Sequence, residues 1–179
     1  MTIQEVGNSF FCNELEQLVD KKPYMAFVIM SSILEFIGKC YSKRPDFQKT
    51  GYSKNDYYDA INKLDSLEKY RVFNYPPDNN GQAPNNNYLY THLRCGMLHA
   101  FLPDGDIILA PSENDLSKKI VGARELYTDL QKAWEEIKQN AKIASSINGN
   151  LALNVAGELS GSTSTNVVEI VDEQNSKKS

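Results

Sequence analysis

Arg94 and His99 are the two side chains whose types and spacing could do chemistry together. They lie in the mostly apolar stretch LRCGMLHAF, residues 93–101. An arginine carries a permanent charge on a planar fork that fits phosphate oxygens, and a histidine can take or give a proton near neutral pH. The pair therefore indicates phosphate chemistry. The structural alternative is an arginine that reaches solvent or pairs with a carboxylate, beside a hydrogen-bonded structural histidine.

The helix predicted to carry the pair holds the two side chains apart. Five residues span about 7.5 Å along an α-helix and about 140° around it, so Arg94 and His99 can border one groove without sharing a stripe. His92 and His99 lie on nearly the same face but about 10.5 Å apart along the axis, too far to bind one metal ion. No acidic residue is spaced to complete a mononuclear site. We therefore predict neither a metal nor a cofactor.

The remaining residues of the motif each allow two interpretations. Gly96 costs on the order of 1 kcal/mol in a helix interior, which close approach of a second backbone would explain. Cys95 could be a reactive thiol, but an inert buried cysteine is favoured because no basic neighbour is fixed beside it. His92 could be a further polar residue where the second backbone approaches, or a solvated surface residue.

Glu35 interrupts the longest apolar run, YMAFVIMSSILEF. It could face the motif helix and orient Arg94 or His99. It could equally pair with Lys39 four residues on, a surface pair worth only tenths of a kcal/mol. The run is shorter than the roughly 20 residues of a membrane span, so no span is predicted.

Hydrophobic periodicity predicts an all-α bundle of four to five helices. The predicted helices cover residues 9–21, 23–43, 53–70 and 87–101, followed by one of about 30 residues from Ser112. Capping boxes are predicted at Ser53 with Asp56 and at Ser112 with Asp115. LPDGDIIL predicts a short hairpin after the motif helix, turning at Asp104 and Gly105. Residues 74–87 are rich in Pro, Asn and Gly and are predicted to be a loop.

The composition changes near residue 145. Residues 9–145 are predicted to form the helical domain. Residues 146–179 are rich in Ser, Asn and Gly, and they are predicted to form either a flexible tail or a small β-hairpin from NLALNV and NVVEIV.

The overall composition limits the function classes. The chain has 179 residues and a formal net charge of −4, so phosphate contacts would need a local basic patch. Three widely spaced cysteines and no secretory signal favour a reducing cytoplasm. The chain has no P-loop, no GxGxxG after a strand, no HExxH and no GxSxG. The sequence therefore does not favour a nucleotide hydrolase, a dehydrogenase, a zinc protease or an esterase.

The block Arg94-Cys-Gly-Met-Leu-His99 fits R-x4-H and resembles the signature of the HEPN superfamily (higher eukaryotes and prokaryotes nucleotide-binding domain). A longer segment around this block is similar to uncharacterised bacterial HEPN-like proteins: YLYTHLRCGMLHAFLPDGDIIL. The upstream segment SSILEFIGK is similar to the second-helix region of such proteins. The resemblance covers residues 24 to about 140, and its specific part is the R-x4-H block.

The resemblance implies a homodimer that forms through the helices carrying Arg94 to His99. Many members are metal-independent endoribonucleases. By this resemblance His99 acts on the 2′-hydroxyl or the leaving oxygen of RNA, and Arg94 holds the scissile phosphate and stabilises its charge in the transition state.

The residue after the arginine is usually Asn, Asp or His in this family, whereas here it is Cys95, a weak hydrogen-bonding group. The alternative is therefore an inactive HEPN-like dimeric binding or accessory module in a defence or stress system, such as a toxin–antitoxin pair with an unidentified protein partner. A third interpretation is a purely structural helical domain with an incidental Arg94 and His99.

Overall fold

The computed structural model describes residues 2–42, 51–73, 89–100, 102–103, 105–140 and 143. Within these ranges the chain is mostly helical, which confirms the predicted helical fold. The α-helices are α1 (Ile3–Phe10), α2 (Asn13–Lys21), α3 (Pro23–Ser42), α4 (Ser53–Lys63), α5 (Gly96–Ala100) and α6 (Ala123–Gln139). The other elements are 3₁₀ segments at Asp65–Phe73 and Leu116–Lys118, a π-helical segment at Tyr90–Cys95, and strands β1 (Ile108–Ala110) and β2 (Ile120–Gly122).

The long helix α3 is the centre of the core. Pro23 suits its first turn, and apolar residues follow at the spacing of a helical face, as the sequence predicted. These side chains are almost fully buried: Phe27, Met30, Leu34 and Ile37. Helix α3 packs mainly against α4 and α6. This packing fixes the position of the buried Glu35, which lies on α3.

The same helix is long and apolar enough to cross a membrane, with a mean hydropathy of 1.3 over its most apolar window. Half of that window is buried inside the protein, as in the core helix of a soluble domain. Length and composition do not distinguish the two cases. The absence of a membrane span and the cytoplasmic location remain predictions from the sequence.

Helices α3 and α4 approach each other closely at Gly38. A Cβ atom built on Gly38 would lie 1.7 Å from the backbone oxygen of Asp56. One turn further along α3, the Ser42 hydroxyl donates a hydrogen bond of 2.9 Å to Asp59 Oδ2 on α4. The first half of α4 is therefore fixed on α3 by backbone contact and by a polar bond.

The N-terminal helix predicted over residues 9–21 is divided into α1 and α2. Helix α1 begins at a capping box between Thr2 and Glu5, which lies before the predicted domain boundary at residue 9. Gly7 lets it approach the Trp134 ring of α6, whose indole nitrogen donates to Asn8 Oδ1 at 2.9 Å.

The helix predicted over residues 53–70 is wrong in its second half. Helix α4 ends at Lys63, Leu64 is extended, and a 3₁₀ segment follows. The cause is distant in sequence, because Glu136 of α6 accepts hydrogen bonds from the backbone nitrogens of Asp65 and Ser66, each at 3.1 Å. This carboxylate satisfies the donors that the break in the helix leaves unpaired.

The capping box predicted at Ser53 and Asp56 is also wrong. Tyr52 precedes the first turn of α4, and no side chain caps that turn. The Ser53 hydroxyl instead donates to Glu35 on α3.

The hairpin predicted after the motif helix is wrong, because β1 pairs with β2 in parallel, with Ile108 opposite Ile120. A parallel pair needs a crossover connection rather than a two-residue turn. Gly105 adopts a positive φ of 69°, as a turn requires, whereas Asp104 lies outside the described residues. The predicted loop over 74–87 and the predicted tail over 146–179 also lie outside them.

The second predicted capping box, at Ser112 and Asp115, is wrong as well, because α6 begins only at Ala123 with Gly122 before it. Asn114 organises the segment instead. Its Oδ1 accepts from the Gly122 backbone at 2.6 Å, and its Nδ2 donates to Tyr70 at 3.1 Å and to Glu125 at 2.8 Å. These bonds hold the start of α6 against Tyr70 in the 3₁₀ segment Asp65–Phe73.

Candidate phosphate site around Arg94

The segment that carries the motif is helical between residues 89 and 100, as predicted, but its first part is a π-helix. A π-helix bonds residues five apart and is frequent at functional sites. Tyr90 and Cys95, which are five apart, lie close enough for a hydrogen bond between their side chains. Leu93, Gly96 and Met97 are buried, which fixes this segment on the core.

The Arg94 guanidinium is held on one side by Glu35. Its Nε and Nη2 atoms donate to Glu35 Oε2 at 3.2 and 3.0 Å. The guanidinium also lies 5.4 Å from the centre of the Tyr90 ring, within the range of a cation–π contact. Its Nη1 atom makes no hydrogen bond to any residue that the structure describes. The Arg94 side chain is 20% exposed.

Glu35 makes both of the contacts that the sequence left as alternatives. Its Oε2 accepts from Arg94, while Oε1 accepts from the Ser53 hydroxyl at 2.6 Å and lies 3.2 Å from Lys39 Nζ. Burial alone would raise the pKa of Glu35. The Ser53 hydrogen bond and the charges of Arg94 and Lys39 outweigh burial and lower that pKa below its ordinary value. Glu35 is therefore an anion at neutral pH.

The electrostatic effect on Arg94 is reciprocal. Burial alone would lower the pKa of Arg94, but the carboxylate of Glu35 raises it. Arg94 is therefore a permanent cation, and Glu35 partly compensates its charge on the side that faces α3. The arrangement can bind an anion at its outer side without burying an unpaired charge.

Two tyrosines form the floor beside Arg94. The rings of Tyr57 and Tyr90 meet edge to face with centroids 5.7 Å apart. Tyr57 is fully buried, and its hydroxyl has no hydrogen-bond partner among the described residues. Burial raises the pKa of Tyr57 far above the ordinary value, so it stays protonated. Together the rings restrict the space into which the Arg94 side chain could turn.

His99 is exposed, and no hydrogen bond joins it to Arg94 in the described part of the chain. Cys95 is half-buried rather than buried, contrary to the inert buried thiol that was favoured. His92 is half-buried, and Gly96 is buried. The structure thus brings Glu35 to Arg94 but leaves His99 on a separate, solvent-facing surface.

The sequence pattern predicts Ser53 as a cap, predicts Tyr57 as either a base-stacking or a core residue, and gives no role in the site to Tyr90. Tyr90 has a local signal, because it precedes Arg94 by four residues, a spacing at which helical side chains meet. Ser53 has none, because its contact with Glu35 depends on how α4 packs against α3.

Among the described residues, no cluster of three or more His, Cys, Asp or Glu side chains could hold a metal ion. No protein-family model, no curated protein and no solved structure matches the chain. The resemblance to the HEPN superfamily therefore remains a prediction from the R-x4-H block and its context.

Proposed function

We propose that this chain is a metal-independent endoribonuclease of HEPN type, with Arg94 as the phosphate-binding group and His99 as the proton-transfer group. One observation carries the proposal. An arginine whose Nε and Nη2 atoms are fixed by a carboxylate, and whose side chain stays 20% exposed, lies five residues before an exposed histidine. A fixed guanidinium suits the planar recognition of phosphate oxygens.

The chemistry needs only these two groups and the RNA itself. In metal-free cleavage the 2′-oxygen attacks the adjacent phosphorus, and the bond from phosphorus to the 5′-oxygen breaks. A base accepts the 2′-hydroxyl proton and an acid supplies a proton to the leaving 5′-oxygen; His99 is suited to either step, and water completes the other. Arg94 compensates the negative charge that grows on the phosphate oxygens.

Arg94 lies in the π-helical segment and His99 in α5, and no hydrogen bond joins the two side chains among the described residues. The Arg94 side chain is turned toward Glu35 on α3, whereas His99 is exposed. We therefore include in the proposal a homodimer through the segment 90–100, in which His99 of one copy lies near Arg94 of the other.

The second candidate is a dimeric module of the same type that does not cleave RNA. The ion pair between Arg94 and Glu35 favours it, because an arginine already bonded inside the protein has less charge available for a substrate. Cys95 favours it too, because a thiol replaces the polar residue that follows the arginine in the family that the motif resembles.

The test is cleavage of a mixed RNA substrate in EDTA by the native protein, His99→Ala and Arg94→Ala. We expect each variant to lose at least roughly 100-fold in rate, the usual lower range for removing a general acid or base. Lys132→Ala is the matched control for removing a positive charge, because Lys132 is exposed on α6, and it should cleave like the native protein.

Equal cleavage by every variant would exclude Arg94 and His99 from the reaction. If the native protein does not cleave, binding to an RNA with 2′-deoxy substitutions separates the candidates. Binding that requires Arg94 would identify the non-cleaving module, and an absence of binding would remove RNA as the ligand.

A further inference from the structure

The Glu35 carboxylate divides its two oxygens between two sets of partners. Among the described residues, Oε2 faces Arg94 alone, with the Nε and Nη2 atoms at 3.2 and 3.0 Å. Oε1 receives the Ser53 hydroxyl at 2.6 Å and lies 3.2 Å from Lys39 Nζ. The partners of Oε1 therefore determine how the carboxylate is rotated about the Cγ–Cδ bond of Glu35.

Ser53 is the more rigid of the two Oε1 partners. It is the first residue of α4 and has one short side-chain torsion, whereas Lys39 reaches Glu35 through a flexible four-carbon chain. Three residues further on, the backbone of Asp56 is pressed against Gly38 of α3. The position of the Ser53 hydroxyl is therefore fixed by the packing of two helices, and its bond to Glu35 is the shorter one.

We propose that Ser53 is a positioning residue of the Arg94 phosphate site, acting through Glu35. The inference depends on the proposed function for its effect on RNA, but its first step, the alignment of Arg94, does not. The Ser53 hydroxyl bonds to Glu35 and makes no hydrogen bond to Arg94 in the described part of the chain. It keeps Oε1 occupied on the α4 side, so that Oε2 remains directed at Arg94 and the outer end of the fork keeps one orientation.

Loss of the Ser53 hydroxyl leaves Lys39 as the sole Oε1 partner among the described residues. The carboxylate can then rotate with the mobile Lys39 side chain, and the two bonds from Arg94 to Oε2 lose their alignment. Small misplacements of a phosphate-binding group slow a reaction strongly, because the bound geometry must already approach that of the transition state.

The test compares Ser53→Ala, Ser53→Thr and Ser42→Ala. Ser42 is the matched control, because its hydroxyl also joins α3 to a carboxylate of α4, Asp59, but does not contact Glu35. We expect Ser53→Ala to lower kcat/KM for RNA cleavage by roughly tenfold, the usual worth of a hydrogen bond to a charged group. Ser53→Thr should retain most of the rate because it keeps a hydroxyl, and Ser42→Ala should stay close to the native rate because Gly38 against Asp56 still holds α4 on α3.

The effect must also depend on Arg94. In an Arg94→Ala background, Ser53→Ala should cause no further loss of residual activity, because the group that Ser53 positions is already absent. An equal loss in both backgrounds would show general damage to the fold and would overturn the proposal.

A measurement without RNA separates this inference from the proposed function. The Nε–H signal of Arg94 in ¹⁵N NMR should be sharp and slow to exchange in the native protein and in Ser42→Ala. It should be broadened or fast to exchange in Ser53→Ala. An unchanged Arg94 signal in Ser53→Ala would overturn the positioning role, even if RNA cleavage were confirmed. A changed signal would support the positioning of Arg94, even in a protein that proved not to cleave RNA.

Discussion

At the scale of single residues, the candidate site is a set of side chains joined through Glu35 rather than an isolated arginine. Ser53 and Lys39 contact one oxygen of Glu35, and Arg94 contacts the other. Removing one partner from a largely buried ion pair leaves an uncompensated charge, which costs more than the pair itself contributes. Arg94 and Glu35 are therefore coupled in stability as well as in the proposed function.

This coupling predicts a pH-dependent effect of Glu35→Gln. The pKa of Glu35 in the folded chain is below its ordinary value of 4.5. A lowered pKa means that the pairing stabilises the fold above pH 4.5, and that this contribution is lost as the pH falls through the folded pKa. We expect Glu35→Gln to lower the free energy of unfolding by about 2 kcal/mol at pH 7. The difference from the native protein should shrink below pH 4.5.

Urea unfolding at a series of pH values measures this difference. Glu113→Gln is the control, because Glu113 is exposed, and it should leave the unfolding free energy nearly unchanged across the series. A Glu35→Gln difference that stays constant down to pH 3 would contradict the pairing. It would show that the fold responds to the shape of the side chain rather than to its charge.

At the scale of the elements, the site depends on how closely α4 packs against α3. Gly38→Ala should lower the free energy of unfolding by roughly 3 kcal/mol, although alanine is the better helix former. The new Cβ would lie 1.7 Å from the backbone oxygen of Asp56, and backbone cannot turn aside as a side chain can.

Thermal unfolding of Gly38→Ala beside Ser32→Ala tests this packing, because Ser32 is on the exposed side of the same helix. Ser32→Ala should keep the native Tm within a few degrees. A Gly38→Ala protein as stable as the native one would mean that α3 and α4 can separate without cost, and that α4 does not fix Ser53.

The elements that sequence reasoning predicted correctly are those that local periodicity determines. The apolar spacing from Phe27 to Ile37 is sufficient to define α3. The end of α4 is different, because Glu136 binds the backbone at residues 65 and 66 across about 70 positions. The parallel pairing of residues 108–110 with 120–122 is likewise a tertiary contact that a turn motif cannot reveal.

The same distinction applies to the site. Arg94 and His99 could be selected from residue type and spacing, and Glu35 from its unusual place in an apolar helix. The partnership of Glu35 with Arg94 could be stated only as one of two alternatives, because it depends on the packing of α3 against the motif segment. Ser53 was assigned to a cap because S-x-x-D before a helix is a common local pattern, and the hydroxyl instead bonds across to α3.

At the scale of the whole molecule, the two groups proposed for catalysis have different surroundings within one copy. Arg94 is turned inward onto α3, with its side chain 20% exposed, whereas His99 faces solvent. With a net charge of −4, the chain also has no general attraction for RNA. Both points favour a site built by two copies, in which the Arg94 and His99 side chains of the two copies meet at one seam.

Mixing two inactive variants tests this arrangement. If each site uses Arg94 of one copy and His99 of the other, a dimer of one Arg94→Ala chain and one His99→Ala chain retains one intact site. Half of the dimers in an equal mixture have this composition, so about a quarter of the native cleavage rate should return after the subunits exchange. The mass of the native protein in solution should be that of a dimer. If the mixture stays inactive although subunits exchange, each site belongs to one chain, and Arg94 and His99 must then meet through movement of the segment 90–100 rather than across a two-fold axis.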